Sequence, residues 1–566
     1  MNKRNHTVKF RILKDKSSLR KGILFAGIAT LVGIFITAVS LASAPTARAS
    51  LASYCTPARA VASGSSGGCL ATIANFNAAG NQVTKFDTTA TGIDAHDGDL
   101  KFFQGKYYLY GTSYNCGYQL GVPYSPFCGF KSYSSTDLVN WSDNGGLFDA
   151  QTPHWQLSCA PPRYGCYRPH VLYNAGTKKY VLWVNGYDNA SGFHVLTSSS
   201  PQGPFVEQSE PTVANMGSAS GGYVNGDFNL FEDDNGVAYI NYTFINFPTP
   251  VGQHNHQLKV EKLNFSFTSG SGTAATPGPS SVEAPSMFKK DGLYYMVYGP
   301  DCAYCGGTAT LYITASSPLG NWSTPTLINP TSCGGQPSFV ATLPTPSGKS
   351  IYVYGSDLWR VEPGKGQIRN QALANYFFTP LNFGTSSIDK FSCDPNVSIP
   401  TMSTSVSPPG PKPGIDQSSG VTSFRTWCDI SANWSRGQSF KAGKSGKLIT
   451  ISVTTFQEGS PNADLGLSIY HASASGTPIG AALYHGSVPP SYIGWSPVNF
   501  IAAPNINVVA GQEYVVVAAT KTSTGCYGWE YSDSNPYLSG TEYYQNPGHA
   551  PITEIGRDLK FSTIVQ

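Results

Sequence analysis

One strand pattern recurs five times along this chain of 566 residues and limits its fold more than any other feature. Gly105-Lys-Tyr-Tyr-Leu-Tyr-Gly111, Lys179-Tyr-Val-Leu-Trp-Val184, Gly236-Val-Ala-Tyr-Ile-Asn-Tyr242, Gly292-Leu-Tyr-Tyr-Met-Val-Tyr298 and Lys349-Ser-Ile-Tyr-Val-Tyr354 each set aromatic and β-branched residues after a turn signal. A short apolar strand precedes most of them (Phe102–Phe103, Val171–Tyr173, Leu230–Phe231, Met287–Phe288, Phe339–Val340), and strand-like stretches such as Phe130–Ser134, His194–Ser198 and Leu311–Ser316 follow. Each unit thus holds about four short strands over about 55 to 75 residues, the content of one propeller blade. The prediction is an all-β chain with a five-bladed β-propeller over residues 90–397. A β-sandwich over the same span would not explain the recurring Gly-x-Tyr-Tyr punctuation.

The remainder divides by composition. Residues 3–21 are rich in Lys and Arg, an uncharged apolar run follows from Gly22 to Ala44, and Ala47-Arg48-Ala49 supplies small residues for cleavage. We read residues 1–49 as a signal peptide, the alternative being an uncleaved anchor helix. Residues 50–89 form an N-terminal extension. Residues 398–420 are a Pro/Ser-rich linker, built around Ser407-Pro-Pro-Gly-Pro-Lys-Pro-Gly414. Residues 421–566, with strand-like Leu448–Val453, Leu465–Tyr470 and Gln512–Ala518, predict a jelly-roll-like β-sandwich. Its Trp427, Trp434, Trp495, Tyr527 and Trp529 are either core residues or platforms for sugar rings.

Charge and cysteines narrow the function. The first 49 residues hold nine Lys/Arg and one Asp, so the formal charge of +3 becomes −5 without them. A nucleic-acid footprint is absent, and a secreted, monomeric protein with no stable membrane insertion is expected. Twelve cysteines in an exported chain imply disulfides, with Cys55/Cys69, Cys116/Cys128, Cys159/Cys166 and Cys428/Cys526 as natural pairs. Cys302-Ala-Tyr-Cys305 has no second half at zinc-ligand spacing, and His254-Asn-His256 reads as a polar loop. No cofactor and no metal set is predicted.

In a propeller the innermost strand of each blade lines the axis, so functional side chains should recur near its start. Asp97 in Asp94-Ala-His-Asp-Gly-Asp99, Asp227 in Asn225-Gly-Asp-Phe-Asn-Leu-Phe231 and Glu283 in Val282-Glu-Ala-Pro-Ser-Met-Phe288 occupy such places in three units. Asp99, Asp233, Asp234 and Asp291 lie beside Gly or turn signals and read as turn residues. Glycosidic hydrolysis needs one protonated carboxyl and one ionised carboxylate, and crowded carboxylates in a dry channel keep one protonated near neutrality.

On these motifs, residues from about 90 to 395 resemble glycoside hydrolase family 43, five-bladed propeller hydrolases of arabinan, xylan and galactan. The resemblance implies Asp97 as general base, Asp227 as the carboxylate that tunes the acid, and Glu283 of Glu-Ala-Pro as general acid, acting with inversion on an arabinofuranoside, xyloside or β-1,3-galactoside. Gly98 and Phe228 stand where members usually have Pro. Arg168-Pro169 and Gln336 look like the β-1,3-galactan branch, which generally lacks a base at Asp97 and has Glu where this chain has Tyr167. His96, Arg168 and Gln336 are candidate sugar-binding groups. The rival readings are a non-catalytic carbohydrate-binding propeller displayed at the cell surface, and a retaining fructan or sucrose hydrolase, whose Trp-x-Asn-Asp, Arg-Asp-Pro and Glu-Cys motifs are missing.

Overall fold

The computed structural model describes residues 69–566, apart from 120, 121, 123, 153, 161–164, 218–224, 246–255, 303, 361–369, 404–413, 421–423 and 426. The expected leader, Cys55 and His254 lie outside the described residues, as does the centre of the expected linker. The described chain is all-β, interrupted by short 3₁₀ turns. No helix among the described residues is long and apolar enough to cross a membrane.

Five antiparallel meanders follow one another. The first sheet holds His96–Phe103, Lys106–Thr112, Phe130–Ser135 and Ser142–Gly146, and the second holds Cys166–Asn174, Lys179–Gly186, Phe193–Ser198 and Val206–Glu207. The third holds Asn225–Glu232, Ala238–Ile245, His256–Leu263 and Gly270–Ala275; the fourth holds Val282–Lys290, Leu293–Pro300, Thr310–Ala315 and Thr326–Asn329. The fifth has three strands, Gln336–Pro344, Ser350–Leu358 and Asn375–Pro380. The first strand of each sheet lies against the first strand of the next, and the fifth returns to the first, so the five close into a ring. Leu70–Ala74 pairs antiparallel with Asn396–Pro400, tying the chain's entry into the ring to its exit.

The repeated aromatics explain why the ring holds. Side chains alternate across a strand, so neighbouring tyrosines enter different cores. Tyr107 packs with Phe339 and Tyr376 of the fifth sheet, whereas Tyr108 packs with Val171 and Tyr180 of the second. Trp183 meets Phe228 and Leu230 between the second and third sheets. Met287 and Met296 meet Leu258 and Val260 between the third and fourth, and Phe288 meets Tyr352 between the fourth and fifth. Each Tyr or Phe buried this way removes roughly 150–250 Å² from water.

Asp99, expected in a turn, lies within a strand instead, whereas Asp233 stands at its expected turn and also makes a structural ion pair. Asp99 is wholly buried within its strand, 2.8 Å from Lys101 Nζ and 3.0 Å from His170 Nδ1 of the second sheet. Asp233 joins the third sheet to the fourth through Lys289 Nζ at 2.7 Å and the Tyr294 hydroxyl at 2.6 Å. Buried carboxylates need such partners. Turn composition alone does not reveal them, because the partners come from other repeats.

Beyond Ile415, strand Gly446–Glu458 centres one large sheet, and Leu465–Ala472, Glu513–Thr520 and Ser435–Lys441 centre a second. Both sheets contribute to one core that includes Leu448, Ile451, Val453, Leu467, Val516, Trp529 and Phe561. This region packs directly on the ring, within one compact unit. Gly92 N donates to Pro497 O (2.6 Å), Trp495 N to Asn115 O (3.0 Å), Ser496 N to Asn115 Oδ1 (2.7 Å) and Thr84 Oγ1 to buried Glu530 Oε2 (2.8 Å).

The expected pairs Cys116–Cys128, Cys159–Cys166 and Cys428–Cys526 are disulfides. Cys333–Cys393, 60 residues apart, is a fourth that spacing gave no reason to draw. Cys302 and Cys305 bond to each other.

Candidate active site

The same irregularity interrupts every first strand. Its pairing with the second strand shifts register between His96 and Asp99, Tyr167 and His170, Asn225 and Phe228, Glu283 and Ser286, and Pro337 and Phe339. A bulge re-aims the side chains it carries. Asp97, Arg168 and Asp227 lie inside these bulges, and Glu283 and Gln336 stand at the edge of theirs. Asp97, Arg168 and Ala284 have φ of 49°, 59° and 54°, a left-handed backbone that non-glycine residues adopt at a cost of about 1–3 kcal/mol. Gly98 completes the first bulge. A Cβ there would lie 2.0 Å from Tyr110 O, which accounts for Gly at this position.

Asp97 forms the floor of the site. Thr112 Oγ1 donates to its Oδ1, and the Tyr114 hydroxyl lies 3.3 Å from its Oδ2. Its amide donates to the Asp357 carboxylate at 3.2 Å. Burial pushes the Asp97 carboxyl up to about 7 against the pull of Arg168 and Thr112, with the charges of Asp357 and Asp227 adding to the rise. Burial also raises Asp357, to about 6, against the opposing pull of His96 and Arg168. Three carboxylates from three sheets therefore feel one another.

Arg168 gathers them. Its Nη2 donates to Asp227 Oδ2 at 2.6 Å and its Nη1 to Ser338 O at 3.3 Å, with the residue 3% exposed. Burial works against its charge, but Asp227 and Asp97 outweigh that and hold the guanidinium above its ordinary value.

Glu283 is held from three sides. Cys302 N donates to Oε2 at 2.8 Å, Gln336 Nε2 reaches the same oxygen at 3.2 Å, and His256 Nδ1 stands 3.2 Å from Oε1. Gln336 is fixed in turn, its Nε2 donating to Cys302 O at 2.8 Å and its Oε1 accepting from Trp359 Nε1 at 2.9 Å. Burial opposes a charge on His256, yet Glu283, with smaller help from Asp227, holds its pKa above 6.5. His256 thus senses two of the three candidate carboxylates.

The three candidate sugar-binding groups, His96, Arg168 and Gln336, are all largely buried. His96 is 1% exposed, with Nε2 3.3 Å from Asp94 Oδ1 and its ring between Tyr114 and Trp359. Arg168 and Gln336 serve Asp227 and Glu283. Asp227 and Glu283 keep side-chain exposures of 18% and 16% and present the reachable carboxylates. The sequence reading missed His256, Asp357 and Tyr114. Asp357 has a legible signal, since it stands near the end of the fifth copy of the repeated strand; His256, expected in a polar loop, begins a strand.

Among the described residues no group of three or more His, Cys, Asp or Glu is gathered as a metal needs, the axial acids being turned to Arg168, Thr112 and Tyr114. The family model "Glycosyl hydrolases family 43" matches residues 93–330, the stretch that carries all three candidate carboxylates. Over these residues the chain is similar to family 43.

Two curated family 43 relatives are a β-D-galactofuranosidase of Aspergillus niger, 26% identical over 45% of this chain and 72% of that protein, and an arabinoxylan arabinofuranohydrolase of Bacillus subtilis, 27% identical over 38% and 46%. Among solved structures, the exo-β-1,3-galactanase of Phanerochaete chrysosporium with galactose is 17% identical, with 79% of this chain and 98% of that chain covered at a TM-score of 0.45. Residues 93–330 thus match a family of glycoside hydrolases, enzymes that hydrolyse O-glycosyl bonds.

Proposed function

We propose that this protein is a secreted glycoside hydrolase of plant-polysaccharide side chains, built as a five-bladed propeller with a C-terminal β-sandwich, in which Glu283 is the general acid, Asp97 the general base and Asp227 the carboxylate that orients the acid. The observation that carries this reading is the bulge shared by all five inner strands, which turns Asp97, Arg168 and Asp227 and flanks Glu283. In this reading Glu283 donates its proton to the leaving oxygen while Asp97 takes one from a water attacking the anomeric carbon, giving inversion. A carboxyl at about 7 is a competent base near neutrality, since its conjugate form is both populated and basic. Arg168 holds Asp227 in place and balances the crowded negative charge.

The substrate class is an arabinofuranoside, a xyloside or a β-1,3-galactoside. Both curated relatives are named for furanosides, so furanosides come first in the screen. Disulfides support an extracellular setting. The test is a panel of arabinan, arabinoxylan, xylo-oligosaccharide and β-1,3-galactan, with NMR of the released anomer. Glu283→Gln and Asp97→Asn should each lower turnover by about 10²–10⁴ with an unchanged fold. Comparable turnover by either variant, or a retained anomer, would overturn the assignment.

A further inference from the structure

The aromatic residues of the C-terminal region divide into two populations. Trp495, Tyr527 and Trp529 are buried, whereas Trp427 is 54% exposed and Trp434 is 36% exposed. The two exposed rings flank one arginine. Arg436 Nε donates to Asp429 Oδ2 at 3.0 Å, Nη2 reaches the same carboxylate, and Nη1 donates to Glu542 Oε1. The Arg436 guanidinium lies 5.2 Å over the Tyr544 ring, and Tyr544 packs 5.5 Å from Trp434. Arg436 also lines a hollow of about 70 Å³ together with Trp427, Asp429, Glu542, Tyr531 and Arg557. Arg557 is fixed over Tyr531 at 5.3 Å and donates Nε to Asp533 at 3.2 Å.

One wall atom lacks a partner. Glu542 is 1% exposed; its Oε1 takes the Arg436 bond, but its Oε2 makes no hydrogen bond among the described residues. A buried oxygen left unsatisfied costs about 1–3 kcal/mol, and a ligand hydroxyl recovers it.

We infer that this hollow is a second carbohydrate-binding site, in which Trp427 stacks against the face of a neutral sugar ring while Glu542, Asp429 and Arg557 hydrogen-bond its hydroxyls. An aromatic platform beside planar polar groups is what polyol recognition requires. The ligand is neutral because two acids and two arginines already balance one another in the wall, and an added charge would be left unpaired. Charged groups, Asp429, Glu542, Arg436 and Arg557, line the hollow beside Trp427, which suits a polyol better than an apolar protein surface. None of Asp97, Asp227 and Glu283 lines the hollow, so it holds substrate without cutting it.

Only the choice of glycan probes rests on the proposed function. The full-length Glu283→Gln protein, which removes hydrolysis, is tested for retention on insoluble arabinoxylan, arabinan and β-1,3-galactan, alone and with Trp427→Ala. The Trp427→Ala change should weaken retention on at least one polymer at least tenfold, while the same change in the active enzyme leaves turnover of a small soluble glycoside within twofold. Trp427→Phe should restore part of the binding. Equal retention with and without Trp427, no retention on any polymer by the parent, or a parent dimer that Trp427→Ala dissociates would overturn the inference. Hydrolysis by the unmodified enzyme is scored separately, so failure of the catalytic reading leaves a distinct result.

Discussion

Glu530 offers a test of how the C-terminal region and the ring hold together. Its carboxyl is wholly buried, with Thr84 of the ring side donating to Oε2, and burial raises it from 4.5 to about 7 against the pull of Thr84 and Lys560. A raised carboxyl keeps its full contribution below the unfolded value of 4.5, and stability is lost as pH climbs towards and through 7. At about 1.36 kcal/mol per pH unit, ionising it in place costs about 3 kcal/mol by pH 8 and almost nothing at pH 4. Glu530→Gln removes that cost, but Lys560, itself lowered by burial to about 8, loses the favourable charge of Glu530. The net gain at pH 8 should therefore be about 2 kcal/mol. With an unfolding entropy of about 2.1 cal/mol/K per residue, this raises Tm by about 2 °C at pH 8 if the chain unfolds as one unit. Calorimetry of both proteins at pH 4 and pH 8 reads it directly. Equal Tm differences at the two pH values, or a less stable variant at pH 8, would refute the reasoning.

Two further predictions concern catalysis. Trp495→Ala removes a ring buried beside Tyr114 and Tyr118 and next to Gly117, so it should cost about 3–5 kcal/mol of packing. Because Asn115 and Tyr114 hang from the same contact, kcat should fall at least tenfold with a smaller change in KM, and Trp495→Phe should recover most of it; wild-type kcat in a folded Trp495→Ala protein would contradict the coupling. His256→Gln should lower kcat about tenfold and abolish the alkaline decline in rate that follows loss of the His256 proton, which the structure places above 6.5. A pH–rate profile that keeps that decline in the variant would show that His256 does not position Glu283.

Much of the ring was readable from local chemistry. The five Tyr-rich strands need two apolar neighbours each, since Tyr107 and Tyr108 point opposite ways, and that requirement alone predicts sheets packed side by side. Asp97, Asp227 and Glu283 stood out because their positions repeat relative to that pattern. Cys116–Cys128 and Cys159–Cys166 were legible because short loops leave few partners, whereas Cys333–Cys393 spans a whole repeat.

Partnership across repeats was not legible. Only the closed ring brings Arg168 to Asp227, Gln336 and His256 to Glu283, and Asp357 to the amide of Asp97. Residue type told that these groups were polar, and burial decided whether they faced a ligand or another side chain. The C-terminal tryptophans carry the same lesson. Their identity permits either core or platform; strand register put Trp529 inside, whereas Trp427 lies between two strands and stands in solvent. Periodicity is a property of neighbours along the chain, which sequence contains. Hydrogen-bond partners are set by the packing of distant segments, and only the tertiary structure specifies that.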